Sequence, residues 1–249
     1  MTSADTRTRP DILGVLGGMG PLATADFLTK LISLTPARED ADHIPLVVSS
    51  EPHIPARVLG MANDAPGSPL AAMLERRDFL IKGGAQAIAM PCNTAHYWYA
   101  DLKAGLDVPF LHIVEAVIGV LEAEDHAGAT IGLMGTRATI EGRLYEDPIR
   151  QRGFACLVAD KELTASHVVP GIALVKQNRI PEARALLRHA VERLADAGAE
   201  KVVLGCTELP VGLDMSDAWV AERCIDPTAA LAQACVDWAM AARQQAGIG

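Results

Sequence analysis

Short apolar runs alternate with longer amphipathic stretches along almost the whole chain. The runs at Ile12–Leu16, Leu46–Ser50, Ala87–Met90, Phe110–His112, Thr130–Met134, Ala155–Val158, Lys201–Leu204 and Cys224–Ile225 lack a polar alternate face, so they read as strands covered on both sides. Helices fill the intervals. One opens at Pro21, a first-turn position where a missing N–H costs nothing, and another at Pro69, carrying Leu70, Met73, Leu74 and Leu80 before Gly83 and Gly84 end it. A third covers Val114–Glu124. Ile180 and Pro181 divide a long helical region into Leu163–Asn178 and Pro181–Ala197, and Asp226–Pro227 opens a last helix with Leu231, Cys235 and Trp238 near one face. Strand and helix in strict alternation predict an α/β fold with parallel sheets.

The pattern occurs twice. ILGVLGGMGPLAT (Ile12–Thr24) is echoed by TIGLMGTRAT (Thr130–Thr139), and AIAMPCNTAH (Ala87–His96) by KVVLGCTELP (Lys201–Pro210), at nearly equal spacing. The expected fold is therefore two similar Rossmann-like lobes related by a pseudo-twofold: 1–113 plus 225–249, and 114–224. The last helix should return to pack on the first lobe. Open parallel sheets place their sites beyond the carboxyl ends of the strands, so facing lobes would bring Cys92 and Cys206 to one cleft. Taken singly, each cysteine is as readily a buried structural thiol. Pairing at equivalent strand ends is what favours chemistry. The loop from Glu51 to Pro69 is too long for a passive connector and is expected to fold over the cleft.

Composition narrows the classes. At 249 residues and 50% hydrophobic content the chain can bury a large core. No apolar run is long enough to span a membrane, and MTSADTRTRP at the start lacks the apolar segment of a secretion signal. A loose arm on a cytoplasmic protein is the expectation. Five cysteines without framework spacing read as reduced thiols. A net charge of −9 without a basic stripe argues against nucleic acid or an anionic membrane as partner. Apolar residues near Trp98 and Tyr99 suit a homodimer surface.

Other chemistries fit less well. GVLGGMG follows a strand and opens a helix, but its glycines are not spaced as GxGxxG, so a nucleotide cofactor is not expected. Zinc on Cys92, His96, Cys206 and Glu208 is conceivable from ligand type. Yet His96 would equally hold its loop by a hydrogen bond, and Glu208 would equally strengthen a helix start. Two thiols facing one pocket suit a different reaction. Inverting a carbon that carries a hydrogen takes a base on one face and an acid on the other, with the roles exchanged in reverse. At helix N-termini a thiol near its reference pKa of about 8.5 is lowered toward neutrality, and free backbone N–H groups there can hold a carboxylate or a developing enolate. No cofactor and no metal are required.

These motifs also resemble those of the aspartate/glutamate racemase superfamily, most nearly its aspartate racemases. The resemblance covers nearly all of the chain after residue 10: GGMGP (Gly17–Pro21), IPAR (Ile54–Arg57), MPCNTAH (Met90–His96), GTRAT (Gly135–Thr139), Lys176 and GCTEL (Gly205–Leu209). It implies a cofactor-independent isomerase interconverting L- and D-aspartate, with Cys92 and Cys206 as the two acid/base residues. Asn93, Thr94, Thr136, Thr139 and Thr207 would bind the α-carboxylate and amino group, Met19 would line the pocket, and Arg57 and Lys176 would hold carboxylates of a small acidic substrate. Arg137, Ala138 and His53 depart from residues common in aspartate racemases. A glutamate or broad-specificity racemase of the same superfamily is the alternative. A binding protein for small acids whose thiols no longer catalyse is the reading from another class.

Overall fold

The computed structural model describes residues 11–57, 63–123 and 128–247. The arm at 1–10, part of the loop expected over the cleft, and the end of the helix read at Val114–Glu124 lie outside the described residues. The first half comprises β1 (Leu13–Gly17), α1 (Pro21–Leu34), β2 (Leu46–Ser50), α2 (Leu70–Lys82), β3 (Ala87–Ala89), α3 (Tyr99–Lys103), β4 (Phe110–Leu111) and α4 (Ile113–Ala123). The second comprises β5 (Thr130–Gly135), α5 (Arg137–Glu141), α6 (Glu146–Gln151), β6 (Ala155–Val158), α7 (Lys161–Leu163), α8 (Val169–Lys176), α9 (Ile180–Asp196), β7 (Lys201–Gly205), α10 (Glu208–Gly212), α11 (Ala218–Arg223), β8 (Cys224–Ile225) and α12 (Pro227–Gln245).

Among the described residues all strand pairs are parallel, in two four-stranded sheets ordered β2-β1-β3-β4 and β6-β5-β7-β8. The second order repeats the first strand for strand. Small residues repeat with it. A Cβ on Gly14 would come to 2.8 Å from the Ala85 Cβ, so something would have to shift, and one on Gly132 would come to 3.0 Å from the Ala199 Cβ, a tight approach at the same place in the second sheet. Just before those alanines, Gly84 (φ +91°) and Gly198 (φ +99°) end α2 and α9 in the left-handed region that favours glycine.

Side-chain alternation along the strands divides the interior into three cores. Leu13 and Val15 of β1 and Leu133 and Val203 of the second sheet share a central core with Phe27, Leu31, Val117, Leu121, Leu231 and Cys235 from α1, α4 and α12. Leu16, Ile88 and Met90 face outward into a core closed by α2 and Trp98. Met134, Val202 and Leu204 face outward beneath α8 and α9. Truncating a core ring such as Phe27 to alanine is expected to cost about 3–5 kcal/mol.

The last helix packs on α1 and α4. Arg243 near its end bonds the fully buried Asp11 (2.7 Å) and the carbonyls of Asp42 and His43, and Lys30 of α1 meets Asp226 at its start (2.6 Å). In the region read as the helix Leu163–Asn178, the helical path starts at Lys161, capped by the Asp160 carboxylate on Leu163 N, and passes through a π-helical turn at Thr164–Val168 before α8. Trp98 is not at a surface. It is 1% exposed and its indole N–H donates to Asn63, whereas Tyr99 is half-buried with its hydroxyl donating to the Phe110 carbonyl, and the neighbouring Tyr97 is exposed. Among the described residues no helix is long and apolar enough to cross a membrane.

Candidate active site

Both cysteines leave their strands by the same three-residue turn. Cys92 N bonds Met90 O (2.8 Å) past β3, and Cys206 N bonds Leu204 O (2.7 Å) at the end of β7. Each thereby turns from strand toward a short helical turn, and the two thiols, though they belong to separate outer cores, line one cavity of about 220 Å³. Met19, Arg57, Asn93, Thr94, Thr136, Lys176 and Thr207 line it as well. Thr139 does not. It is buried behind, closing a triangle of hydroxyls with Thr94 (3.0 Å) and Thr136 (2.9 Å), while Thr94 and Thr136 are 3.1 Å apart. Each hydroxyl can donate once and accept within this ring, which joins the first lobe to the second.

Burial pushes the Cys92 thiol above its ordinary pKa, opposed by the nearby Arg57 charge and a hydrogen bond from the Ala95 N–H. Burial pushes Cys206 well above its ordinary value, and the Glu208 charge adds to the push. The helix-terminal amides do favour each thiolate, as anticipated from sequence, but desolvation outweighs them. The expected lowering toward neutrality is therefore reversed. The Cys206 thiol donates to Glu208 Oε2 at 2.9 Å, and Lys176 Nζ stands 3.8 Å from the other oxygen, Oε1.

Glu208 is thus a cavity-lining residue and not merely a favourable charge at the start of α10. The chain does carry a signal for it: it stands two residues after a cysteine at a strand end, where a carboxylate can turn back to the sulfur. His96 is spent on structure. Its Nδ1 donates to Cys92 O (2.9 Å), its Nε2 accepts from Ile113 N (3.2 Å), and burial lowers its pKa to about 3, so it is neutral. Among the described residues no group of three or more His, Cys, Asp or Glu is arranged to hold a metal ion. The guanidinium of Arg57 is anchored on the carbonyls of Pro55 (3.0 Å) and Met19 (3.2 Å), which fixes its charge beside Cys92. Lys176 is at the mouth, its side chain 55% exposed. Asn93 accepts from the Tyr145 hydroxyl through Oδ1, while its buried Nδ2 has no hydrogen-bond partner among the described residues.

The Asp/Glu/Hydantoin racemase family matches residues 16–235 of the chain. The chain belongs to that family. It is an isomerase, a racemase of the aspartate/glutamate superfamily. Among family members, the broad specificity amino-acid racemase RacX of Bacillus subtilis is 30% identical over 233 residues, covering 90% of this chain and 96% of RacX. The structure of the Picrophilus torridus aspartate racemase superposes with a TM-score of 0.80 at 29% identity, over 92% of this chain and 94% of that one. Glutamate racemase from Francisella tularensis, solved with D-glutamate, shares the two-lobed fold at a TM-score of 0.68 and 14% identity, over 97% of this chain and 83% of that one.

Proposed function

We propose that this racemase interconverts L- and D-aspartate by a two-base mechanism in which Cys92 and Cys206 work on opposite faces of the α-carbon. One observation carries the reading: two thiols from equivalent strand ends line one small cavity between donors suited to an amino acid. One cysteine, as thiolate, takes the α-proton; the electron pair of the broken C–H bond spreads into the α-carboxylate as an enolate; the other cysteine, as thiol, returns a proton to the opposite face. Asn93 and Thr207 offer donors to the carboxylate, and Thr94 or Thr136 can turn its hydroxyl proton out of the ring to add another, with Thr139 supporting the two threonines from behind. Arg57 favours a Cys92 thiolate, and Glu208 can accept the Cys206 proton along the hydrogen bond they already share. Thiols and fixed donors thus supply both proton transfer and charge stabilisation, so the proposed reaction needs no pyridoxal phosphate, nucleotide or metal. Residues 1–113 with 225–249 act as one lobe and 114–224 as the other, which the packing of α12 on α1 supports.

Substrate choice rests on the two cations. Arg57, half-buried and with its charge near Cys92, is a place for one carboxylate, and the more exposed Lys176 can meet a second. An exposed, flexible lysine also tolerates a longer acid, which favours glutamate or a broader range as the second reading. Chiral chromatography over the common amino acids tests the set: aspartate should racemise fastest, and faster turnover of another amino acid would replace it. Calorimetric binding of aspartate without turnover would support the non-catalytic binder.

A further inference from the structure

The hydroxyl of Tyr145 has no part in that mechanism, yet it reaches the site from the opposite lobe. Tyr145 stands in the turn before α6, is 0% exposed, and donates to Asn93 Oδ1 in the cysteine loop of the first lobe. Asn93 is 1% exposed, lines the cavity, and leaves Nδ2 buried with no partner among the described residues. A carboxamide can present its oxygen or its NH2 with almost the same shape and opposite polarity, so something must choose between them. The phenol proton makes the choice. It finds its acceptor in Oδ1; with the amide reversed, the proton would face NH2 and be buried unpaired, a costly arrangement. Burial also pushes the phenol well above its ordinary pKa, with the Asp226 and Cys206 charges adding to it, so the proton is retained at working pH.

We infer that Tyr145 is a positioning residue for specificity: it holds the Asn93 amide with NH2 toward the cavity, so that this wall selects a carboxylate over a carboxamide. A carboxylate only accepts hydrogen bonds and matches the free NH2; a carboxamide presents its own NH2 in one of its two orientations and loses part of that match. The inference rests on the proposed amino-acid site and adds the device that orients one of its donors.

The test is a double-mutant cycle of Tyr145→Phe and Asn93→Ala, read by aspartate calorimetry and by racemisation kinetics. Tyr145→Phe should raise both Kd and KM for aspartate about fivefold, leave kcat within about twofold, and narrow the preference for aspartate over its two monoamides. In the Asn93→Ala background it should change nothing further. Equal losses in both backgrounds with the preference intact would show that Tyr145 merely packs. If Tyr145→Phe does not fold, the Asn93 side-chain amide resonances of the unmodified protein decide: they should shift on adding aspartate, and no shift overturns the inference. Binding without turnover in the unmodified protein removes the racemase reading and leaves the cycle valid on Kd. Turnover with an additive cycle removes this inference alone, and no binding at all removes both.

Discussion

The corners at Cys92 and Cys206 share their backbone and differ in what surrounds the sulfur. Both cysteines follow a three-residue turn at a strand end, and both sulfurs sit among buried groups that raise their pKa. Two residues on, the first corner has Thr94, a neutral hydroxyl tied to Thr136 and Thr139, and the second has Glu208, a carboxylate bonded to the thiol. The positive charge of Arg57 eases Cys92 toward thiolate, while Glu208 holds the proton on Cys206. A repeated backbone therefore makes two chemically unequal thiols. In the proposed mechanism the repeated geometry would supply a group for each face of the carbon, and the unequal electrostatics would let one be a base while the other is an acid.

The largest test of that comparison is the loss of each thiol. Cys92→Ser and Cys206→Ser should each lower racemisation by about 10³-fold, within the range for removing a general acid–base group. The enantiomers have equal free energy, so kcat/KM must fall equally in both directions. The asymmetry is to be sought in α-hydrogen exchange in deuterated water, where each serine variant should retain exchange of the opposite hand. A single serine variant at the wild-type rate would end the two-thiol mechanism.

Next come the charges that make the corners unequal. Arg57→Ala should lower aspartate turnover by about 10- to 100-fold, as expected for a lost hydrogen bond to a charged group. It should also move alkylation of Cys92 to higher pH, because a cation that favoured the thiolate is gone. Glu208→Gln should move alkylation of Cys206 to lower pH, because an anion that opposed the thiolate is gone. Mass-spectrometric mapping of iodoacetamide adducts against pH reads both, and shifts of the same sign would refute the assignment. Lys176→Ala should cost less, about threefold in KM, since its exposed ammonium is screened by water.

The smallest effect concerns stability alone. His96 is neutral when folded, with its pKa lowered to about 3 by burial, and returns to about 6.5 when unfolded. The unfolded chain therefore binds the extra proton, and the stability contributed is complete above about pH 6.5 and declines as pH falls toward 3. His112, lowered to about 4, adds in the same direction. Melting temperatures measured from pH 7 to pH 5 should fall in the wild type and less steeply in His96→Gln; parallel curves would remove His96 as a cause.

Most of the architecture was legible along the chain because it is written in local terms. Doubly covered strands are continuous apolar runs, helices open at Pro21 and Pro227 and within one residue of Pro69 and Pro181, and the two halves repeat, so the eight strands among the described residues and their matching sheet orders follow. The paired cysteines stood out for the same reason: Cys92 and Cys206 occupy the same place in the repeat. What the chain alone left open depended on burial and on contacts between distant residues. Whether helix-end amides or desolvation sets the thiol pKa turns on how completely the sulfurs are covered. Apolarity does not say which side of a lobe a ring faces: Trp98 is buried while its neighbour Tyr97 is exposed. The Tyr145–Asn93 hydrogen bond joins residues far apart in sequence and carries no local pattern. Local periodicity determined the fold and the two thiols; only tertiary burial and contacts decided which proton each buried group can hold.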